Sequence, residues 1–335
     1  MSETRDFEAR LRAAIDGKTK PLGALGRVEA LAAQIARTQG TLEPRLDACA
    51  LTIFAADHGV ATEGVSAYPQ DVTRQMLANF LAGGAAATVF AAGLGVPVTV
   101  VDAGVAGPPL DAPGLVSRRI APGTASFLHG PAMSRAELAR ALDAGRALGA
   151  GPVTTAAAFG EMGIGNTAAA AAVAHKLTGL PLDTLVGRGA GLDDAGLARK
   201  RAIVGRACAR TADRLDPEAA LAEYGGFEIA MMTGAMLGAV AAGRVVLVDG
   251  FIATAAAACA GAMAPEARGA LVYAHRSAEN GHGALLDHLG ARPLLDLGMR
   301  LGEGSGALLA WPIVRAAADM LRDMASFESA GVSRA

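Results

Sequence analysis

The chain has 335 residues, 52% hydrophobic but only 4% aromatic, and its 30 Lys and Arg against 32 Asp and Glu leave a formal net charge of −2. Its mean hydropathy of +0.34 comes from Ala and Gly more than from Leu and Phe, which points to helices packed closely on a sheet rather than to a membrane bundle. The balanced charge offers no basic footprint for nucleic acid. The first twelve residues mix charges of both signs and lack the apolar core of a signal peptide. The longest membrane-like stretch, 245–264, carries Asp249, which is costly in lipid. Three scattered cysteines, Cys49, Cys208 and Cys259, with no CxxC, suit small buried hydrophobes in a reducing cytoplasm. Six histidines without ligand-like spacing predict no metal.

Residues 3–40 read as two helices, the second opening near Lys20-Pro21. A first strand at 48–55 runs into Asp57-His58-Gly59 and a polar loop at 61–69. Helices follow at 72–81 and 85–93, separated by Gly83-Gly84, and then a second strand at 97–101 that ends at Asp102. Residues 105–133, rich in Pro and Gly, read as an excursion, after which Ser134 and Glu137 form a capping box for a helix to about 148. An Ala-rich third strand is expected at 152–157, ending at the stretch FGEMGIGNT, with a long Ala helix to 177 behind it. GRGAGLDD precedes a charged helix containing Arg199, Lys200 and Arg201, Asp216-Pro217 starts another, and Gly225-Gly226-Phe227-Glu228 one more. Further strands are expected at 244–248, 271–274 and 294–297.

Strands every 30–50 residues with helix between them predict an α/β chain: a doubly wound, mostly parallel, about six-stranded Rossmann-like sheet covered on both faces. Asp57, Asp102, Glu161, Asp249, His275 and Glu303 all follow an apolar run on its C-terminal side. In open α/β sheets, ligands bind beyond those strand ends.

No Walker A sequence, no GxGxxG in the first βα turn and no GxSxG elbow is present, so neither an ordinary dinucleotide site nor a hydrolase elbow is indicated. Two glycine loops suit an anion and a ribose. One, with Gly163, Gly165, Asn166 and Thr167, opens the Ala helix; the other, with Gly189, precedes Lys200, which lies about two turns along its helix. Tyr68 and Pro69, with Gln75 and Met76 on the next helix, offer an aromatic, a rigid ring and soft apolar groups to a flat base. The last loop, Leu301-Gly302-Glu303-Gly304-Ser305-Gly306, supports two readings: Glu303 as a helix-end acid favoured by the helix dipole, or as a general base with glycines giving it room.

Taken together, KPLGALGRVEALA, FAADHGV, VSAYPQDVTRQM, FGEMGIGNTAAAAA, GRGAGLDDAGLARK, YGGFEIAMMTGAMLGA, VLVDGFIATAAAA, SAENGHGALLDHLGARPLLDLGMRLGEGSGALLAWP and MASFESAGV resemble the nicotinate-nucleotide–dimethylbenzimidazole phosphoribosyltransferases, the CobT family of cobalamin biosynthesis. The motifs run in the family's order from Lys20 to Val332. The resemblance implies transfer of the 5-phosphoribosyl group from nicotinate mononucleotide to 5,6-dimethylbenzimidazole, without cofactor. It implies Glu303 as catalytic base and Glu161 in the same site. Tyr68, Gln75 and Leu301 are expected to line the base pocket, and Gly163, Asn166, Thr167 and Lys200 to lie near phosphate and ribose. It also implies a homodimer, and a smaller helical part built from about 1–40 and 305–335 beside a large domain at 41–304. Ala168 and Ala190 stand where many relatives carry Thr, which removes two hydroxyls from the nucleotide side. Another lower-ligand base such as adenine or benzimidazole, or a non-catalytic nucleotide-binding homologue, are the alternatives. A nicotinamide-dependent oxidoreductase lacks its first-turn glycine fingerprint here.

Overall fold

The computed structural model describes residues 2–151 and 154–333. Helices α1 (Ser2–Asp16) and α2 (Arg27–Gln39) precede strand β1 (Cys49–Ala56); α3 (Asp71–Leu81) and α4 (Ala86–Leu94) precede β2 (Val98–Gly104) and a short β3 (Leu115–Ser117). Helix α5 (Arg135–Gly149) leads into β4 (Ala156–Met162). Five helices then separate β4 from β5 (Val245–Val248): α6 (Asn166–Thr178), α7 (Leu182–Leu185), α8 (Asp194–Cys208), α9 (Pro217–Tyr224) and α10 (Phe227–Ala241). After α11 (Phe251–Met263) come β6 (Leu271–Tyr273), α12 (His282–His288) and α13 (Ser305–Asp323).

The six strands form one sheet in the order β3-β2-β1-β4-β5-β6, with every pair parallel. Alternation along each strand sends successive side chains to opposite faces. On β5, Val246 and Val248 enter the core beneath α5, α6, α10 and α11, while Val245 and Leu247 enter the core beneath α1, α2, α4 and α13. Helix α13 packs on α2 and α4, and the two chain ends meet where Lys18 bridges Ser326 and its Nζ donates to Met324 O at 2.6 Å.

Helices α5 and α10 approach backbone to backbone. A Cβ added at Gly145 or Gly149 would lie 2.0 Å from Met231 O or 1.9 Å from Ala235 O, and one added at Gly234 or Gly238 would lie 2.1 Å from Leu142 O or 2.2 Å from Arg146 O.

Two strand expectations change. The sixth strand is not 294–297, which makes only an isolated bridge between Leu295 and His275; it is β3, at the far edge, inside the Pro- and Gly-rich excursion. The third strand lies four or five residues later than 152–157, at Ala156–Met162, and residues 152–153 fall outside the described residues. Glu161 is therefore in the strand rather than past it. The stretch at 245–264 resolves into β5 and α11. The stretch whose length and apolarity would pass for a membrane span, 71–94, is divided into helices of 11 and 9 residues. Neither reaches the ~20 residues needed to cross a bilayer.

Candidate active site

Chain connections leave β1 and β4 in opposite directions across the sheet, so the order reverses between them. That is the switch point at which open α/β sheets bind ligands. Thr73 of α3 stitches the two strand ends together: its hydroxyl donates to Asp57 Oδ1 at 2.7 Å, just after β1, and accepts from the Ile164 N–H at 3.1 Å, just after β4. Beside this seam lies a cavity of about 520 Å³.

Its walls come from distant parts of the chain. Ser66, Tyr68, Val72 and Met76 line it, together with Arg300 and Leu301. Gly163, Ile164, Gly165, Asn166, Thr167 and Gly189 line it as well, with Glu161 from the end of β4 and Glu303 from the loop before α13. Helix α6 starts without a side-chain cap after Gly165, which has φ 98°. The Asn166 and Ala168 N–H groups already donate to Gly163 O and Gly165 O, so the helix start offers an anion the Thr167 N–H and the positive end of the helix dipole.

Lys200 stands behind this wall rather than in it. Its Nζ donates to Thr167 Oγ1 at 2.8 Å and to Gly187 O at 3.0 Å, with no exposure left, and burial pushes its pKa down to about 8 against the pull of Glu279. Pro69 and Gln75 are exposed and are not among the residues lining the cavity. On α3 the inward positions are Val72 and Met76, four residues apart on one face, and Gln75 is turned about 100° away. The cationic side chain that does line the cavity is Arg300, which also donates to Gly189 O at 3.0 Å. Glu279 holds the same loop from below by accepting from the Gly189 N–H at 3.0 Å. Arg300, Glu279, Ser277, Phe251 and Ile252 line the cavity although sequence reasoning gave them no role; all five lie in the motifs that carry the family resemblance.

Glu303 has an unusual backbone. It is the non-glycine residue with positive φ, 64°, among the described residues. For a residue with a Cβ, that conformation costs on the order of 1–2 kcal/mol. Gly160 of β4 makes the approach possible, since a Cβ there would lie 2.1 Å from Glu303 O. Glu303 is 6% exposed, and its Oε2 accepts from the Ala87 N–H at 3.4 Å, at the first turn of α4. Burial raises its pKa above the ordinary glutamate value; the Ala87 N–H opposes this and the charge of Asp249 adds to it.

Glu161 is pushed further, up to about 8, first by burial and then by the charges of Glu228, Asp249 and Glu303, against a hydrogen bond donated by the Asn166 amide. Its folded pKa exceeds its unfolded one, so its contribution to stability is full below about pH 4.5. It is lost progressively as pH rises toward about 8, where the folded protein must also ionise it. Glu161→Gln, neutral throughout, should therefore be more stable than the wild type at pH 8.5, by at most a few kcal/mol, and show no such gain at pH 5. Thermal melts of both proteins at the two pH values measure this; an equal difference at both would remove the charge argument.

A second buried set lies beneath the cavity. His58 Nε2 meets Glu228 Oε1 at 2.6 Å with both side chains fully enclosed. Among the described residues, no group of three or more His, Cys, Asp or Glu side chains is placed to hold a metal ion.

Fold and cavity define the class: a doubly wound α/β enzyme with a helix N-terminus, apolar side chains and buried carboxylates around one cavity at the switch point. A phosphoribosyltransferase family model matches residues 2–332. The nicotinate-nucleotide–dimethylbenzimidazole phosphoribosyltransferase of Ralstonia nicotianae is 58% identical over 334 residues, covering 97% of this chain and 93% of the relative. The enzyme of that name from Cupriavidus necator is 55% identical over 328 residues, covering 97% and 95%. The crystal structure of CobT from Thermus thermophilus superposes with a TM-score of 0.94 at 49% identity, covering 98% of this chain and 100% of that one. The chain belongs to this phosphoribosyltransferase family.

Proposed function

We propose that the chain transfers the 5-phosphoribosyl group of nicotinate mononucleotide to 5,6-dimethylbenzimidazole, giving α-ribazole 5′-phosphate and nicotinate. The relatives at 58% and 55% identity carry the name of that enzyme. The observation that carries the reading here is the carboxylate of Glu303, buried and raised in pKa, between an apolar slot and an anion-binding helix end.

In the mononucleotide the nicotinate ring is a pyridinium, so it leaves C1′ as a neutral pyridine nitrogen and takes the bonding electron pair with it. One benzimidazole nitrogen attacks C1′ from the opposite face, turning a β-nucleoside into an α-product. The other nitrogen gives its proton to Glu303. Tyr68, Met76 and Leu301 flank the incoming ring; Gly163, Gly165, Asn166, Thr167 and Gly189 hold phosphate and ribose, with Arg300 supplying positive charge at the wall and Lys200 bracing Thr167. Pro69 and Gln75, at the rim, take part through the loop and helix that carry Tyr68 and Met76. Glu161, anchored by Asn166, lies beside the ribose. An apolar pocket discriminates a methyl group by only about 1–3 kcal/mol, so related bases compete with dimethylbenzimidazole as acceptor.

Incubation with nicotinate mononucleotide and an equimolar mixture of dimethylbenzimidazole, benzimidazole and adenine tests the reading. Nicotinate release with α-ribazole phosphate as the main product is expected. A different dominant nucleotide would reassign the base, and ligand binding without any turnover would favour the non-catalytic alternative. A homodimer in the cytoplasm completes the proposal; three buried free thiols, Cys49, Cys208 and Cys259, agree with a reducing compartment.

A further inference from the structure

Resting on the reading of Glu303 as the base, we propose that Asp249, immediately after β5, is its positioning residue. The Asp249 carboxylate clamps the backbone that follows Glu303 and so holds the base in its left-handed conformation.

Asp249 is 2% exposed, and the three hydrogen bonds of its carboxylate all go to the start of α13. Its Oδ1 accepts from the Gly306 N–H at 2.7 Å and the Ala307 N–H at 3.0 Å, and its Oδ2 accepts from the Gly304 N–H at 3.2 Å. These are donors that α13 leaves free at its start, since Gly304 precedes the helix with φ 86° and no side-chain cap is present. A residue 55 positions before Gly304 thus caps the helix that Glu303 introduces. Without the clamp, the three N–H groups would be left buried without an acceptor, and Glu303 would be free to relax to negative φ, withdrawing its carboxylate from Ala87.

The clamp has one position available to it. His275, just beyond β6, stands behind Asp249 with its Nε2 3.7 Å from Oδ1, and a Cβ at Gly306 would lie 2.1 Å from the His275 ring. The His275 ring nitrogens make no hydrogen bond among the described residues, so its packing against Gly306 fixes where α13 begins. The titratable groups facing Asp249 are His275 from the β6 end, Glu161 from β4 and Glu303 itself. The first turn of α11 offers none. His282, behind His275, stays neutral: burial pushes it down to about 3, its Nδ1 accepts from the Ser277 N–H at 2.8 Å and its Nε2–H donates to Thr254 Oγ1 at 2.9 Å. Asp249 also acts through its charge, because a neighbouring anion favours the protonated form of Glu303 and makes it the stronger base once ionised.

Asp249→Asn keeps the shape and removes the charge and one good acceptor. We expect kcat to fall by about a hundredfold with little change in KM, as for misplacement of a catalytic group by about 1 Å. The acid limb of the kcat profile should move to lower pH, because Glu303 loses a neighbouring negative charge. His275→Gln breaks no hydrogen bond but removes the ring packed against Gly306, and should lower kcat with little change in KM by loosening the start of α13. A folded Asp249→Asn enzyme with wild-type kcat overturns the proposal, as does one whose kcat falls with the limb unmoved, which marks a merely structural role. Should that variant not fold, His275→Gln decides alone, and a wild-type kcat there then overturns the proposal. Glu303→Gln separates the two levels: full activity there sinks the base assignment, whereas an inactive Glu303→Gln beside an unaffected Asp249→Asn sinks only the clamp.

Discussion

Replacing Glu303 with Gln is expected to lower the rate of phosphoribosyl transfer by about 10²–10⁴-fold, the usual worth of a positioned general base, while the melting temperature holds or rises slightly. Gln occupies the same space and can still accept from the Ala87 N–H, so the backbone geometry survives. What disappears is the ability to take a proton. The stability side follows from the direction of the pKa: burial makes the ionised Glu303 unfavourable in the folded protein, and the amide has no charge to bury. Steady-state rates with nicotinate release as the readout, beside thermal melts at neutral pH, measure both halves. An unchanged rate would move the base to another group, with Glu161 the next carboxylate in the cavity.

The second large effect concerns stability alone. Gly149→Ala should destabilise the protein even though Ala is the better helix former by about 1 kcal/mol. The new methyl would lie 1.9 Å from Ala235 O, a backbone atom in the middle of α10 that cannot rotate away. Overpacking of this kind costs up to about 3 kcal/mol, so a net loss of about 2 kcal/mol remains. For a chain of this length, with an unfolding entropy of about 2 cal/mol/K per residue, that corresponds to a melting temperature lower by about 3 °C. The internal control is Gly205 in α8, where an added Cβ meets nothing within 4 Å, so Gly205→Ala should be neutral or stabilising. Activity of the folded Gly149→Ala enzyme at 25 °C should match the wild type, because α5 contributes nothing to the cavity wall. Equal melting temperatures for the two alanine variants would show that the helices separate more readily than their contact suggests.

Much of this architecture is legible in the sequence because parallel strands buried on both faces are written as continuous apolar runs. Strands β1, β2, β5 and β6 lie within a few residues of their expected places for that reason. Strand β3 left no such signal: three residues at an edge, set among prolines and glycines, need no periodicity to make one pairing with β2. The run at 294–297 is misleading in the opposite sense, apolar enough for a strand but following Pro293 and contributing a single bridge. In β4 the second half reads as loop because Gly160 and Glu161 are poor strand formers. Their reason for being there is visible only in three dimensions, where Gly160 makes room for the Glu303 backbone.

The candidate site divides the same way. Glu161 could be found from its place at the end of an apolar run, and Glu303 and the loops around Gly163 and Gly189 from their glycines. Lys200 and Gln75 show what spacing leaves out: both are at plausible distances along their helices, yet one braces the wall from behind and the other faces outward. Glu228 opens α10 as any first-turn acid would, and its partner His58 is 170 residues away in sequence. Asp249 reads as a strand-end acid like several others; that it serves α13, closing the chain, depends on a contact no local pattern encodes.

The meeting of the chain ends bears on how the molecule is made. The face of the sheet formed by Leu51, Ile53, Val245 and Leu247 is sealed by α2 from the start of the chain and by α13 from its end. During synthesis α2 emerges early, whereas α13, the helix it packs against most, follows every other described helix. Glu303, the loop around it and the seal of this core are then completed by the same late stretch. A polypeptide released before that point would carry a bare apolar face and lack the Glu303 loop, so exposure to aggregation and an incomplete candidate site come together.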